Sequence, residues 1–256
     1  MKTAILVNYA SNNNQGKMKW LSIKQEVLKI LPRDTSVISY EPPFDIEGCI
    51  FKLINENHVK CIISAGGDGS LNYIVNVLMT NFQIAKKIQL GAIGLGSSND
   101  FLKPFTNVIN GIPTKINYKD FKWVDVGKVS YINVNSVKHT RYFIVNASIG
   151  VTADANLLFN SGDFFLNRIK SRFVGVAILY AALKTIFRYK NKPIQLNYNN
   201  NKKWLKITNL NLIKNPNISG SFKYDQKIES NDGMLGLNYC YDMNTMELLK
   251  VLYDLS

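Results

Sequence analysis

Two short glycine-rich stretches hold the residues best suited to chemistry. Gly66-Gly67-Asp68-Gly69-Ser70 follows an apolar run at residues 59–64 and precedes a helix-like run at residues 71–79. Glycine lets a backbone turn tightly and brings its N–H groups against a ligand. A helix that begins at that point adds partial positive charge, and together these suit a phosphate. An ordinary glycine turn is the alternative, and the string GGDG alone does not decide between them. The second stretch, Gly91-Ala92-Ile93-Gly94-Leu95-Gly96-Ser97-Ser98-Asn99-Asp100-Phe101, again sets glycines and hydroxyls where a strand-like run, residues 88–93, ends. Open α/β sheets bind ligands at the carboxyl ends of their strands. Two such loops one βαβ crossover apart point to a single phosphate site built from both.

The elements that must position these loops alternate in type. Residues 4–7 form a continuous apolar run, as expected of a strand buried on both faces. Trp20, Ile23, Val27 and Ile30 recur at spacings of three and four, which predicts an amphipathic helix ended by Pro32. A strand at 37–40 follows, then a helix capped by Asp45 that carries Ile46, Ile50 and Leu53 on one face. With the strands at 59–64 and 88–93 and the helix at 71–79, the first half is a parallel α/β layer structure, a Rossmann-like fold. Near residue 120 the pattern changes to strand-like segments at 123–129, 142–148, 194–198, 205–212 and 234–240, with turns at Asn199-Asn200-Asn201 and Asp232-Gly233. The expected division is an α/β domain over 1–120 and a mainly antiparallel β domain over 121–256. One long helix, 163–189, interrupts the second.

Composition narrows the partners without choosing one. Thirty-one Lys+Arg against 18 Asp+Glu give a formal charge of +13, which favours nucleotides, acidic lipid surfaces or nucleic acid. Cys49, Cys61 and Cys240 are far apart, and His58 and His139 are the only histidines, so a zinc site is not expected. No secretory signal is read at the N-terminus. The longest apolar run, 173–183, is shorter than the ~20 residues that span a bilayer. A soluble, cytoplasmic protein with reduced thiols is the expectation.

At this point the sequence resembles the diacylglycerol and sphingosine kinase superfamily of lipid kinases. That family carries GGDGT followed by LNEVVNGL, and this chain has GGDGS followed by LNYIVNVL; its PLGTGNDFA is matched by GLGSSNDFL at residues 94–102. The stretches VDVGKV at 124–129 and RYFIVNASIGVTADA at 141–155 resemble the family's DLGKV and FINVASIGFDA, and Asn231-Asp232-Gly233-Met234-Leu235 resembles DDGLLD. The resemblance runs in order across most of the chain.

It implies ATP with Mg2+ as phosphoryl donor and a lipid hydroxyl as acceptor, with a two-domain plan similar to that of NAD kinases. Carried over by position, Asn8, Gly66, Gly67, Gly69, Ser70, Asn72, Gly96, Ser97, Asn99 and Asp100 would hold the nucleotide. Asp68 would be the catalytic residue, orienting the metal or the acceptor hydroxyl. Asp232 resembles a residue that organises a magnesium–water network, although a turn aspartate before glycine is the equal alternative. Three departures stand out: the family's NPxSG loop is Asn8-Tyr9-Ala10-Ser11-Asn12 with Gly16 displaced, the helix glutamate is Tyr73, and the proline of the second loop is Gly94. Members continue to a strand with a DGE motif whose glutamate is implicated as a base, whereas this chain stops at Ser256. The expectation is a second domain cut short, with weak or no lipid kinase activity but a retained nucleotide site. An uncovered sheet edge and apolar surface would then favour self-association, as in a homodimer, or low stability.

In the long helix, Leu166, Ile169, Phe173, Val176, Tyr180, Leu183 and Phe187 repeat at three and four, with Arg168, Lys170, Arg172, Lys184 and Arg188 on other faces. This is either a core helix with a solvated basic face or a peripheral contact with an anionic membrane surface. Two rival functions remain, a NAD kinase-like enzyme and an impaired module that binds nucleotide or membrane. Nucleic-acid binding has no motif behind it and is not expected.

Overall fold

The computed structural model describes residues 1–117, 120–161, 164–170, 172–198, 200–218 and 222–255. They form two compact units, Met1–Ile144 and Val145–Ser256.

The first unit is built on a six-stranded sheet in the order β2-β1-β3-β4-β6-β5. Its parallel strands are β1 (Thr3–Asn8), β2 (Ser36–Tyr40), β3 (Cys61–Gly66) and β4 (Gln89–Gly94). The short strands β5 (Val108–Ile109) and β6 (Ile112–Lys115) form a hairpin, and β6 runs antiparallel to β4. The hairpin turns at Asn110 and Gly111, both at positive φ, as a two-residue Asn-Gly turn requires.

The continuous apolar runs divide by the two-residue period of a strand. Ile5, Val7, Ile63 and Ile93 face Trp20, Ile23 and Val27 of α2 (Gly16–Ile30). Ala4, Leu6 and Ile62 face Ile50 and Leu53 of α3 (Ile46–Asn55) and Ile74, Val77 and Leu78 of α4 (Asp68–Met79). Each buried valine, leucine or isoleucine among them contributes about 1.5–3 kcal/mol relative to exposure. Helices on both faces therefore clamp β1, β3 and β4 at the centre of the sheet, and the carboxyl ends of β3 and β4 carry the glycine loops. Asp45 caps α3 by accepting from the Gly48 N–H at 2.8 Å, and α2 ends at Leu31, held extended by the following Pro32. A single irregular turn, α1 (Ser11–Asn14), and the short helices α5 (Phe82–Ala85) and η1 (Asp100–Leu102) complete the layers.

The units part later than residue 120. The antiparallel hairpin β7 (Gly127–Ile132) and β8 (Lys138–Phe143) belongs to the first unit. Asn76 on α4 explains why: its amide donates to the Tyr142 carbonyl at 2.8 Å and accepts from the Tyr142 N–H at 2.9 Å. The strand expected over 142–148 is the end of β8 and the start of β9 (Asn146–Gly150), with the division of the units between them.

The second unit is organised by β11 (Asn201–Ile213), with β10 (Lys192–Tyr198) on its first half and β9 and β14 (Gly236–Tyr241) on its second, all antiparallel. The strands β12 (Asn217–Ile218) and β13 (Phe222–Lys223) make a small separate pair. The long helix is instead two, α7 (Phe164–Lys170) and α8 (Val174–Ile186), preceded by α6 (Val151–Asn160). The apolar stripe folds back on itself: Leu166 from α7 packs against Ala177 and Ala181 of α8. The break falls beside Val174-Gly175-Val176, residues of poor helix propensity. The expected helix start at Asp163 and the turn residue Asn199 lie outside the described residues. The last helix, α9 (Thr245–Asp254), is capped by Asn244, which forms a reciprocal capping box with Glu247. Among the described residues no helix is long and apolar enough to cross a membrane.

Candidate functional site

Adjacent strands β3 and β4 end in register, Gly66 opposite Gly94, so both glycine loops leave the same edge of the sheet. Gly67 is the N-cap of α4 with extended backbone, which brings the N-terminus of a three-turn helix to this edge. The loops touch. A Cβ built on Gly96 would lie 2.4 Å from the Cα of Gly67, and one on Gly67 would lie 3.1 Å from the Cα of Gly96. A Cβ on Gly66 would strike the Ser70 side chain at 2.5 Å. Three of the glycines thus serve the close packing of the loops. At Gly69, by contrast, a Cβ would have nothing within 4 Å, so this position faces open space.

Asp68 joins the two loops. Its carboxylate accepts from the Asp100 N–H at 3.0 Å and from the Phe101 N–H at 2.9 Å, capping η1 from the opposite loop. Burial pushes its pKa above the ordinary carboxylate range; the two N–H bonds oppose this, and the neighbouring Asp100 charge adds to it. Asp100 is itself paired with Lys103 at 2.6 Å. On the far side of η1, Lys115 of β6 donates to the Phe101 carbonyl at 2.8 Å and lies over the Phe101 ring.

The remaining expected residues fall into two groups. Asn99, in the left-handed region, is spent inside its own loop: its Oδ1 accepts from the Gly96 N–H at 3.1 Å and its Nδ2 donates to the Gly94 and Gly96 carbonyls. Asn8, at the end of β1, donates to the Ser70 hydroxyl at 2.9 Å and accepts from the Ala10 N–H, shaping the edge from a third strand. Asn72 lies half-buried in the first turns of α4, with its carbonyl bonded to Asn76. Ser97 is exposed at the tip of the second loop. Asn8, Gly66, Gly67, Asp68, Gly69, Ser70, Gly96, Ser97, Asn99 and Asp100 are therefore gathered at the carboxyl ends of β1, β3 and β4.

Two further features lie at the site: Ser11 falls in the stretch that stands for the NPxSG loop, whereas Lys19 has no local signal in the sequence. Lys19 of α2 reaches the second loop, donating to the Gly96 carbonyl at 3.1 Å and the Leu95 carbonyl at 3.4 Å, and burial lowers its pKa. Helical periodicity does not single out a lysine beside a buried Trp20. The Ser11 hydroxyl is buried without a hydrogen-bond partner and faces Gly66, 3.3 Å from where a Cβ would stand. An orphaned donor, an ammonium and an open glycine position at one helix N-terminus fit an anionic phosphate.

Asp232 belongs to the second unit. Its Oδ1 accepts from the Lys214 ammonium at 2.7 Å and from the Met234 N–H at 3.0 Å, in the turn made by Gly233 at positive φ. Lys214 holds its carboxyl below the usual range. Among the described residues no three His, Cys, Asp or Glu side chains gather as metal ligands.

A mainly parallel sheet with paired glycine loops ahead of a helix, followed in the chain by an antiparallel unit, defines the fold class. The sequence profile of the diacylglycerol kinase catalytic domain matches residues 2–129, half of the chain. The chain belongs to the diacylglycerol kinase catalytic-domain family. Solved structures from Bacillus anthracis str. Sterne share its fold. One described as a diacylglycerol kinase is 17% identical with a TM-score of 0.67, over 98% of this chain and 77% of that one. Two described as candidate diacylglycerol kinases are each 18% identical, with TM-scores of 0.68 and 0.69; both alignments cover 99% of this chain, and 78% and 80% of the neighbours. A search of curated proteins found no match.

Proposed function

We propose that the chain is a lipid kinase that transfers the γ-phosphoryl group of ATP to a lipid hydroxyl. The observation that carries this reading is the contact of Gly67 with Gly96 beside the open position of Gly69, set in a chain whose family is that of the diacylglycerol kinases. The nucleotide with its Mg2+ supplies the transferable phosphoryl group and neutralises part of its charge. The chain's residues do the positioning. The α4 N-terminus, the Ser11 and Ser70 hydroxyls and the Lys19 ammonium offer donors and positive charge to the phosphates. Asn99 fixes the second loop, and Ser97 is exposed where it can meet the rest of the nucleotide. Asp68 holds the loops together; each of its oxygens keeps a further lone pair with which to accept from a substrate hydroxyl. Its raised pKa moves it toward the range of a working base.

Incubation with labelled ATP and a panel of lipids and NAD, separated by thin-layer chromatography, tests the reading. Label in a lipid hydroxyl ester is expected; label in NADP would favour the NAD kinase alternative, and label in neither would leave a binding module.

We extend the proposal to a peripheral contact with anionic membrane. Phe173, Val176, Leu179 and Phe187 are exposed along α8 and its ends, with Arg172 and Arg188 exposed beside them. Sedimentation with anionic vesicles should fall steeply between low and physiological salt, as screening shortens to ~8 Å; salt-independent binding to neutral vesicles would contradict it. Homodimer formation is read by light scattering, and a monomer at micromolar concentration would remove it.

A further inference from the structure

Lys214 follows directly on β11, and its side chain is 2% exposed. A buried ammonium is tolerated only where oxygens replace its water. This one donates to Asp232 Oδ1 and to the Met234 carbonyl, both at 2.7 Å. A carboxylate and a backbone carbonyl converging on one point are hard oxygen donors of the kind that Mg2+ and Ca2+ take. By resemblance, Asp232 stands where the family has a residue that organises a magnesium–water network. In this chain the point between those oxygens is filled by a fixed positive charge. A Mg2+ ion would have to stand about 2.0–2.1 Å from the same oxygens, inside the space of the ammonium and against its charge. At Asp232 Oδ1 and the Met234 carbonyl the residues present do not fit the metal.

We propose that Lys214 takes the structural place of a metal ion at Asp232, so that the second unit closes its Asp232–Met234 turn on an internal cation. Lysine is suited to this: a compact point charge with three donors, on a stem long enough to be buried along apolar neighbours while the head meets the turn. The ion is covalently supplied, so the turn needs no divalent cation from solution. The inference is independent of what the first unit phosphorylates.

The test uses the whole chain without nucleotide. Mn2+ is titrated into the wild-type protein and amide signals are followed by NMR. The amides of residues 232–235 should keep their intensity at equimolar Mn2+, and melting temperatures in EDTA and in millimolar MgCl2 should agree. Selective broadening of those amides would overturn the proposal, because a metal would then bind despite the lysine. Lys214→Met should lower the melting temperature by about 5–10 °C in EDTA, and Mg2+ should restore part of the loss. A Lys214→Met protein that melts like wild type in EDTA would also overturn it. If that variant does not fold, the wild-type titration alone decides.

Discussion

Replacing Gly96 by alanine puts a methyl group 2.4 Å from the Cα of Gly67 and 2.9 Å from Oδ1 of Asn99. Carbon atoms rest about 3.5–4.0 Å apart, so the two loops must separate by about 1 Å or more. Overpacking of this kind costs about 1–3 kcal/mol. The same shift would stretch the Asp68 bonds to Asp100 and Phe101, now 3.0 and 2.9 Å, beyond hydrogen-bonding distance. Melting of the first unit should fall by roughly 3–10 °C. ATP affinity by calorimetry should drop at least tenfold, about 1.4 kcal/mol. Gly69→Ala is the companion variant. Its methyl group meets nothing, and alanine favours a helix by up to about 1 kcal/mol over glycine, so stability should hold or rise. Loss of ATP affinity in Gly69→Ala without loss of stability means that ligand enters that open space. Unchanged melting and unchanged affinity in Gly96→Ala would refute the claim that contact between the loops shapes the site.

Asp68→Asn retains the side-chain size but turns one of two acceptors into a donor facing an N–H, so turnover should fall at least tenfold, about 1.4 kcal/mol in the barrier; a variant with most of its turnover would leave Asp68 a loop-holding residue only. Because burial raises the folded pKa of Asp68 above its ordinary 3.8, its contribution to stability is fully present below that value and is lost as pH rises through the folded pKa; the pH dependence of melting should flatten there in the variant. Asp232 has the opposite sign: Lys214 lowers its pKa, so its contribution is present above 3.8 and is lost as pH falls through the folded pKa, which acid melts of wild type against Asp232→Asn would read. Asn76→Leu leaves the Tyr142 N–H and carbonyl unpaired and should destabilise the first unit by about 1–3 kcal/mol, visible as faster proteolysis of the β7–β8 hairpin; wild-type resistance would contradict that anchoring role.

The parts of this fold that can be read from the sequence are those governed by local period and turn chemistry. The runs around Ile5, Ile63 and Ile93 are buried on both faces and are dominated by apolar residues, and Gly66 to Ser70 lies where strand passes into helix. The Asn110-Gly111 turn has the same kind of local signature. What stays hidden depends on contacts far apart in sequence. Nothing local pairs Asp68 with the Asp100 and Phe101 N–H groups, Asn76 with Tyr142, or Lys19 with Gly96. The stripe from Leu166 to Phe187 has the right spacing for one helix, yet its residues are satisfied better by two helices packed on one another. Periodicity reports which faces are apolar; it does not report whether a second segment of the same stripe covers them.

Hydrogen exchange measured by mass spectrometry, with and without ATP and Mg2+, tests the central claim most directly. Protection should appear on peptides covering residues 66–72 and 94–101, where both loops meet at Gly67 and Gly96. Binding that leaves those peptides unprotected and slows exchange elsewhere would contradict the placement of the nucleotide at the paired glycine loops.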